Sequence, residues 1–311
     1  MTFAFVFPGQ GSQSIGMLST IEGRPEVRAT LQEASEALGE DIGKLIAEGP
    51  AEVLALTTNT QPVMLTAAIA FYRAWLASGG VLPTVMAGHS LGEYSALVAA
   101  GVIAFKDAVP LVRFRAEAMQ NAVPIGTGGM AAILGLEDEI VQTVCAQAAL
   151  EAGEVVEAVN FNAPGQVVIA GSSQAVTKAC ELLKAAGAKR ALPLPVSAPF
   201  HSSLLQPASE KLKEYLGDIE FKSPTIAVIN NVDVTSLFDP VAIKDALVRQ
   251  AASPVRWQET INAMAHQGIT QVAECGPGKV LAGLTKRINP QVTGIPIFDE
   301  ASLNAALAEL S

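Results

Sequence analysis

The sequence feature that most constrains the fold is the pentapeptide GHSLG at residues 88–92. It follows an apolar segment, 84–87, that is typical of a buried strand, and it leads into a helical pattern over 91–100. Between a strand and a helix, the pattern G-x-S-x-G indicates a nucleophile elbow, which needs both glycines because a β-carbon there would clash. Such a turn lifts the hydroxyl of Ser90 out of the sheet, near a helix N-terminus that favours developing negative charge. Ser90 is therefore the candidate nucleophile.

The rest of the chain repeats this alternation of short apolar strands and amphipathic helices, which predicts the α/β class. Outside the middle of the chain, strands are predicted at 3–7, 84–87, 226–229, 271–274 and 295–298, and helices at 52–78, 91–100 and 240–251. We expect the two chain ends, residues 1–123 and 198–311, to build one large α/β domain.

The middle of the chain has a different order of elements. Strands are predicted at 130–134, 155–161, 166–170 and 190–194, with helices at 138–151 and 174–186. The order β-α-β-β-α-β is that of a ferredoxin-like unit. We therefore expect residues 124–197 to form a small domain inserted into the large one, with a ligand cleft between the two.

Charge and hydropathy limit the partners of the chain. Its 30 acidic and 20 basic side chains give a formal net charge of −10, whereas a nucleic-acid-binding protein usually has a basic surface. The first residues lack the positive region of a signal peptide, and Pro8 and Gly9 interrupt their apolar run. The apolar stretch 62–75 contains Arg73 and is too short to span a membrane. We expect neither nucleic acid nor a membrane as a partner.

Cysteine usage indicates the compartment. Cys145, Cys180 and Cys275 are scattered, and such a sparse, odd set without an export signal fits a reducing cytoplasm. Each is expected to be a small buried hydrophobic residue. We therefore expect a cytoplasmic protein. Separately, we expect it to be a monomer.

A serine nucleophile needs a base, and histidine is the usual one. The chain has three. His89 adjoins Ser90 in a tight turn, where neighbouring side chains point apart, and His266 lies in a polar helix end. His201, in a loop where the chain returns to the large domain, remains as the candidate base. No acid between Ser90 and His201 stands out as a third member, which weakens the interpretation as a plain esterase.

Five segments together resemble the malonyl-CoA:acyl carrier protein transacylase family of bacterial fatty acid synthesis. They are FPGQGSQ at 7–13, GHSLGEY at 88–94, VNFNAPGQ at 159–166, APFHS at 198–202 and ECGPGK at 274–279. They occur in the family's order over essentially the whole chain. The resemblance implies a hydrolase-like large domain with a mostly parallel sheet, a ferredoxin-like small domain, and no metal or cofactor.

The resemblance also implies a two-step reaction. Ser90 takes malonyl from malonyl-CoA, and the phosphopantetheine thiol of acyl carrier protein then attacks the malonyl-serine. The family's oxyanion hole implies the N–H groups of Leu91 and Gln10, and the glycines beside Gln10 let the backbone approach closely. A main-chain carbonyl at Gln250 is implied to hold the imidazole of His201 in place of a triad acid.

The free carboxylate of malonyl suits a planar guanidinium. Arg113 and Arg115 lie on opposite sides of one predicted helix, and their spacing does not choose between them. The resemblance implies Arg115, with Met119 one turn further along the same face. It also associates Phe200, before the histidine, with malonyl rather than methylmalonyl.

Coenzyme A and the carrier protein require polar and basic contacts. Asn160 and Asn162 are candidates for the pantetheine amides, although turn chemistry also explains them. Because the carrier protein and this chain are both acidic, a local basic patch must act at short range, within roughly 10 Å. The sequence offers two alternatives, Lys189 with Arg190 and a second group of Lys279, Lys286 and Arg287.

Three other functions stay open at this stage. A serine thioesterase or esterase would share Ser90 and His201, but the chain lacks the HGGG loop as well as the acid. A non-catalytic binding module is disfavoured by the intact Ser, His and Arg set. A free-standing acyltransferase serving a polyketide synthase would use the same chemistry.

Overall fold

A computed structural model describes residues 2–196 and 198–310. The strands are β1 Phe3–Phe7, β2 Val85–Gly88, β3 Gly128–Leu134, β4 Val156–Ala163, β5 Gln166–Ser172, β6 Arg190–Pro193, β7 Ala227–Ile229, β8 Gln271–Cys275 and β9 Thr293–Ile297. Each strand predicted from the sequence is present, and only its end residues differ.

The helices fill the connections between the strands. They are α1 Pro25–Leu38, α2 Ile42–Glu48, α3 Ala51–Leu54, α4 Thr57–Ala77, α5 Gly92–Ala99, α6 Phe105–Gln120, α7 Asp138–Ala152, α8 Ser173–Ala185, α9 Gln206–Gly217, α10 Pro240–Gln250, α11 Trp257–His266, α12 Val280–Ile288 and α13 Glu300–Leu310. A short 3₁₀ turn, Ser203–Leu205, precedes α9.

A parallel sheet in the order β7-β2-β1-β8-β9 forms the larger layer. All five residues of β1 are buried, as expected for a strand covered by helices on both faces. Phe3, Phe5 and Phe7 pack on one face with Tyr72 and Trp75 of α4. The carboxyl ends of β1 and β2 lie side by side, so the loops that follow them meet at one edge.

A second, antiparallel sheet has the order β4-β5-β3-β6. With α7 and α8 it follows the predicted β-α-β-β-α-β order, and it encloses a separate apolar cluster. The predicted α/β class with a ferredoxin-like unit is therefore confirmed. The domain boundaries at 123/124 and 197/198 stay a prediction, and residues 1, 197 and 311 of the predicted ranges lie outside the described residues.

The helix predicted at 52–78 is wrong as a single element. It is divided into α3 and α4, because Leu56 has an extended backbone. The side chains of Asn59 and Thr60 donate to the carbonyls of Val53 and Leu54 at 2.9 and 2.7 Å. Such side-chain bonds compete with continuous helical bonding, which the apolar periodicity does not reveal.

We expect Phe5→Ala to destabilise the fold by about 3–5 kcal/mol, the usual cost of truncating a buried aromatic residue. The Phe5 ring is fully buried and lies 5.3 Å from the ring centroid of Trp75 and 5.4 Å from that of Phe3. Denaturant unfolding measures the change, with Ile125→Ala as control because Ile125 is 83% exposed. Equal stability of the two variants would contradict this packing.

Candidate active site

Ser90 occupies a sharp turn between β2 and α5, with φ of 51°. Both flanking glycines are required by close backbone contacts. A β-carbon on Gly88 would lie 1.8 Å from the carbonyl carbon of Gly92, and one on Gly92 would lie 2.0 Å from the oxygen of Phe7. The turn has the geometry expected of a nucleophile elbow.

His201 lies against this turn. Its Nε2 is 2.7 Å from Ser90 Oγ, and its Nδ1 is 2.9 Å from the main-chain oxygen of Gln250. Because a carbonyl only accepts, Nδ1 carries the proton and Nε2 is free to accept from the serine hydroxyl. The structure therefore brings together the serine, the histidine and the carbonyl that the resemblance implied.

Burial lowers the pKa of His201 to about 3, and the neighbouring Arg115 guanidinium adds to the effect. The side chain is 4% exposed. A lowered pKa keeps the imidazole neutral at pH 7, which is the form that accepts a proton.

Arg115 is buried beside the serine. Its Nη2 donates to Ser90 Oγ at 3.1 Å and to Gln250 Oε1 at 2.9 Å, and its Nη1 donates to Gln61 Oε1 at 2.8 Å. The guanidinium lies over the ring of Tyr94 at 5.2 Å. Within residues 2–196 and 198–310 no carboxylate forms an ion pair with it. Its positive charge is thus held by neutral amides next to the nucleophile.

Arg113 has a different environment. It forms two parallel hydrogen bonds with Glu40, at 2.9 and 2.8 Å. This is the surface ion pair expected of the arginine on the outer side of α6. The tertiary structure therefore places Arg115, and not Arg113, beside the nucleophile.

The loop after β1 packs directly on the elbow. A β-carbon on Gly9 would lie 2.6 Å from the oxygen of His89. Gln10 follows, and its side chain donates to Thr57 Oγ1 at 3.2 Å. The N–H groups of Gln10 and Leu91 donate to no acceptor in the part of the chain that the structure describes. Both residues border the same cavity, so these two donors are available for an oxyanion.

A cavity of about 150 Å³ opens onto Ser90. It is lined from both sheets, as expected for a cleft between a large and a small unit. The lining residues are Gln10, Gln61, His89, Ser90, Leu91, Arg115, Met119, Met130, Asn160, Leu194, Val196, Phe200 and His201. Met119 and Phe200, which the resemblance associates with the acyl group, thus border the same cavity as Ser90 and Arg115.

The two candidate asparagines have different positions. Asn160 lines the cavity, and its buried Oδ1 has no partner among the described residues. Asn162 Oδ1 instead lies 2.8 Å from His89 Nε2. Of the two, only Asn160 therefore has a side-chain oxygen without a hydrogen-bond partner among the described residues.

Lys189, Arg190 and one member of the second basic group, Arg287, lie at the same end of the antiparallel sheet. Lys189 and Arg190 are exposed, and Arg190 pairs with Leu134 of β3. Leu134 pairs on its other side with Gln166, whose side chain accepts a hydrogen bond from Arg287. Lys189, Arg190 and Arg287 therefore form a basic end of the sheet.

Three residues that hold the site were missed by the sequence analysis: Gln61, Glu93 and Asn231. Asn231 Oδ1 accepts from the N–H of Ser90 at 2.7 Å, and its Nδ2 donates to the oxygen of Gly88 at 2.7 Å. Ser90 and Glu93 match the S-x-x-E capping pattern, so the sequence does contain a local pattern that indicates a structural role for Glu93. No local pattern indicates Gln61 or Asn231.

Across the described ranges, no group of three or more His, Cys, Asp or Glu residues is arranged to hold a metal ion. None of the helices described above is long and apolar enough to cross a membrane.

Known proteins resemble the chain over almost its full length. The acyl transferase domain family matches residues 4–295. The malonyl CoA-acyl carrier protein transacylase of Salmonella typhimurium strain LT2 is 55% identical over 308 residues, 99% of each chain. This chain belongs to the acyl transferase family. The family resemblance carried by the five sequence segments is therefore confirmed.

Solved structures of the acyl transferase family have the same fold. The acyl-carrier-protein S-malonyltransferase from Burkholderia pseudomallei 1710b matches with a TM-score of 0.97 and 68% identity, over 99% of this chain and 100% of that one. A malonyl-transacylase in complex with its type II PKS acyl-carrier protein matches with a TM-score of 0.97 and 51% identity, over 99% and 100%.

We expect the ring protons of His201 not to titrate between about pH 8 and pH 5, because its pKa lies well below the ordinary value near 6.5. Proton NMR measures the shift, and loss of the signal in His201→Gln assigns it. The urea-unfolded chain supplies the reference titration. A midpoint near 6.5 in the folded protein would contradict a buried neutral imidazole.

Proposed function

We propose that the chain transfers malonyl from malonyl-CoA to the phosphopantetheine thiol of an acyl carrier protein through a malonyl-serine at Ser90. The observation that carries this proposal is the position of Arg115. It is 1% exposed, lies 3.1 Å from the nucleophile and has no ion pair among the described residues. A buried guanidinium costs free energy unless an anion compensates it, and the malonyl carboxylate is such an anion.

In the first half-reaction His201 removes the proton of Ser90 Oγ, which attacks the thioester carbonyl of malonyl-CoA. The N–H groups of Leu91 and Gln10 stabilise the resulting oxyanion. The intermediate collapses, the carbon–sulfur bond breaks, and His201 returns the proton to the departing coenzyme A thiol. The Gln250 carbonyl stabilises the imidazolium formed in between.

In the second half-reaction the carrier thiol takes the place of coenzyme A. His201 accepts its proton, the thiolate attacks malonyl-Ser90 through the same oxyanion hole, and Ser90 leaves with the proton. Both thiols carry the same pantetheine arm, so one cleft serves both. Asn160 contacts the arm, and the basic end formed by Lys189, Arg190 and Arg287 binds the phosphates of coenzyme A or the acidic carrier surface. We also propose that the chain acts as a cytoplasmic monomer.

A serine esterase is disfavoured by the partner of His201, which is a main-chain carbonyl and not a carboxylate. The polyketide alternative is favoured by one observation, the 51% identity to a malonyl-transacylase bound to a type II PKS carrier protein. The chemistry is identical for either carrier. Supply of malonyl-carrier protein for fatty acid synthesis remains our first proposal, because the curated relatives are malonyl CoA-acyl carrier protein transacylases.

Incubation with malonyl-CoA is expected to add the mass of one malonyl group to the intact protein, because Ser90 forms a stable ester when no acceptor thiol is present. Intact-mass spectrometry measures the adduct. Ser90→Ala, which keeps the fold and lacks the nucleophile, should stay unmodified. Release of free malonate without an adduct would favour a hydrolase.

Arg115→Ala is expected to lower kcat/KM for malonyl-CoA at least about 100-fold, since a charge-assisted bidentate contact with the substrate carboxylate is lost. The same variant should gain relative activity toward acetyl-CoA, which has no carboxylate. Arg113→Ala is the matched control and should keep wild-type kinetics. Unchanged malonyl kinetics in Arg115→Ala would overturn the assignment.

Charge reversal at the basic end tests carrier docking. The double variant Lys189→Glu with Arg190→Glu is expected to raise KM for the carrier protein about fivefold or more at low salt, with a smaller effect at high salt. Reversal of Arg28 and Lys44, exposed cations on α1 and α2 of the large unit, is the charge-matched control. Equal KM values for the two double variants would discard this patch.

A further inference from the structure

Glu93 is a buried carboxylate that does not touch the reacting atoms. It is 2% exposed, and within the described residues it forms no ion pair. Burial raises its pKa to about 7. Its Oε2 accepts from the N–H of Asn231 at 2.9 Å and from Nε2 of Gln250 at 2.8 Å. These two donors and the nearby Arg115 guanidinium favour the ionised form and so offset part of the cost of burial.

Ser90 depends on both of these partners for its backbone conformation. Its φ of 51° lies in the left-handed region, which is strained for a residue with a β-carbon. The N–H of Ser90 donates to Asn231 Oδ1 at 2.7 Å. Its carbonyl accepts from Gln250 Nε2 at 3.0 Å and from the N–H of Glu93 at 3.1 Å. The strained turn is therefore held by two residues that Glu93 also contacts, Asn231 through its main-chain N–H and Gln250 through its side-chain amide.

Gln250 also connects Glu93 to the other two site residues. Its Oε1 accepts from Arg115, and its main-chain oxygen accepts from His201. The N–H of Asn231 can only donate, so Glu93 Oε2 is a hydrogen-bond acceptor in this position. Glu93 therefore requires the NH₂ group of Gln250 to face it, which leaves Oε1 directed at the guanidinium. The reverse orientation of the amide would point a donor at Arg115.

We propose that Glu93 is a positioning residue, whose acceptor oxygen fixes Asn231 and Gln250 and through them the strained backbone of Ser90 and the guanidinium of Arg115. The proposal deepens the acyl-transfer function above and rests on Ser90 as its nucleophile. It predicts that removing the acceptor slows every reaction of Ser90, including one that involves no malonyl group.

The reaction of Ser90 with phenylmethylsulfonyl fluoride provides that measurement. Ser90 Oγ bonds to sulfur, and fluoride leaves while the hydroxyl proton passes through His201 to solvent. Intact-mass spectrometry gives the rate. Glu93→Met, which keeps the shape and removes the acceptor, should react at least tenfold more slowly than the wild type. Glu93→Gln, which retains an oxygen at the same position, should stay within about threefold, a barrier change of about 0.7 kcal/mol.

Two outcomes in the Glu93 variants would overturn the proposal. A wild-type rate in Glu93→Met would remove any positioning role. A loss in Glu93→Gln equal to that in Glu93→Met would assign the effect to the negative charge and not to the acceptor. Both variants are compared at equal folded fraction, determined from their unfolding curves.

Glu274→Met is the matched control, because Glu274 is also fully buried and its pKa is also raised to about 7. Unlike Glu93, it accepts from the N–H of Ala282 at the start of α12. Its sulfonylation rate should stay within twofold of the wild type, and an equal loss there would overturn the proposal. If Glu93→Met does not fold, Glu93→Asp, which withdraws the acceptor by one methylene, should show the same tenfold loss. Failure of malonyl transfer in the wild type would remove the proposed function and leave this test of Ser90 intact.

Discussion

The close approach of bare backbone at Gly88 and Gly92 is the constraint on which the site depends. A β-carbon at either position would lie within about 2 Å of main-chain atoms, so β1, β2 and α5 contact one another with no side chain between them. The turn that results holds Ser90 at a φ of 51°. The turn places the Ser90 hydroxyl at the edge of the sheet, next to the loop that contains Gln10. The remaining site residues are positioned around this one point.

Desolvation acts on both ionisable partners of the serine. Burial lowers the pKa of His201 and so keeps the base neutral, while it also lowers the pKa of Arg115. Neutral amides of Gln61 and Gln250 orient the guanidinium without cancelling its charge. Under the proposed function, the substrate carboxylate forms the direct ion pair that Arg115 lacks among the described residues. In that proposal the same groups account for a neutral base and for a preference for an acidic acyl group.

Much of the fold was predictable because its signals are local. Buried strands such as β1 and β8, and the reversal to β-α-β-β-α-β in the middle of the chain, follow from apolar runs and turns of a few residues. The helix over 52–78 was wrong because Asn59 and Thr60 bond back to the preceding carbonyls. Hydropathy records the burial of a side chain, and it does not record these competing hydrogen bonds.

The sequence by itself determined the α/β class, the elbow at Ser90 and, with only three histidines present, the candidate base. Tertiary structure decided which arginine faces the nucleophile, and it placed Asn231 and Glu93 in hydrogen-bond contact with the turn. Ser90 and Asn231 are 141 residues apart, and Glu93 and Gln250 are 157 apart. Such contacts leave no periodic trace in the chain, since they depend on which strand ends the sheet places side by side.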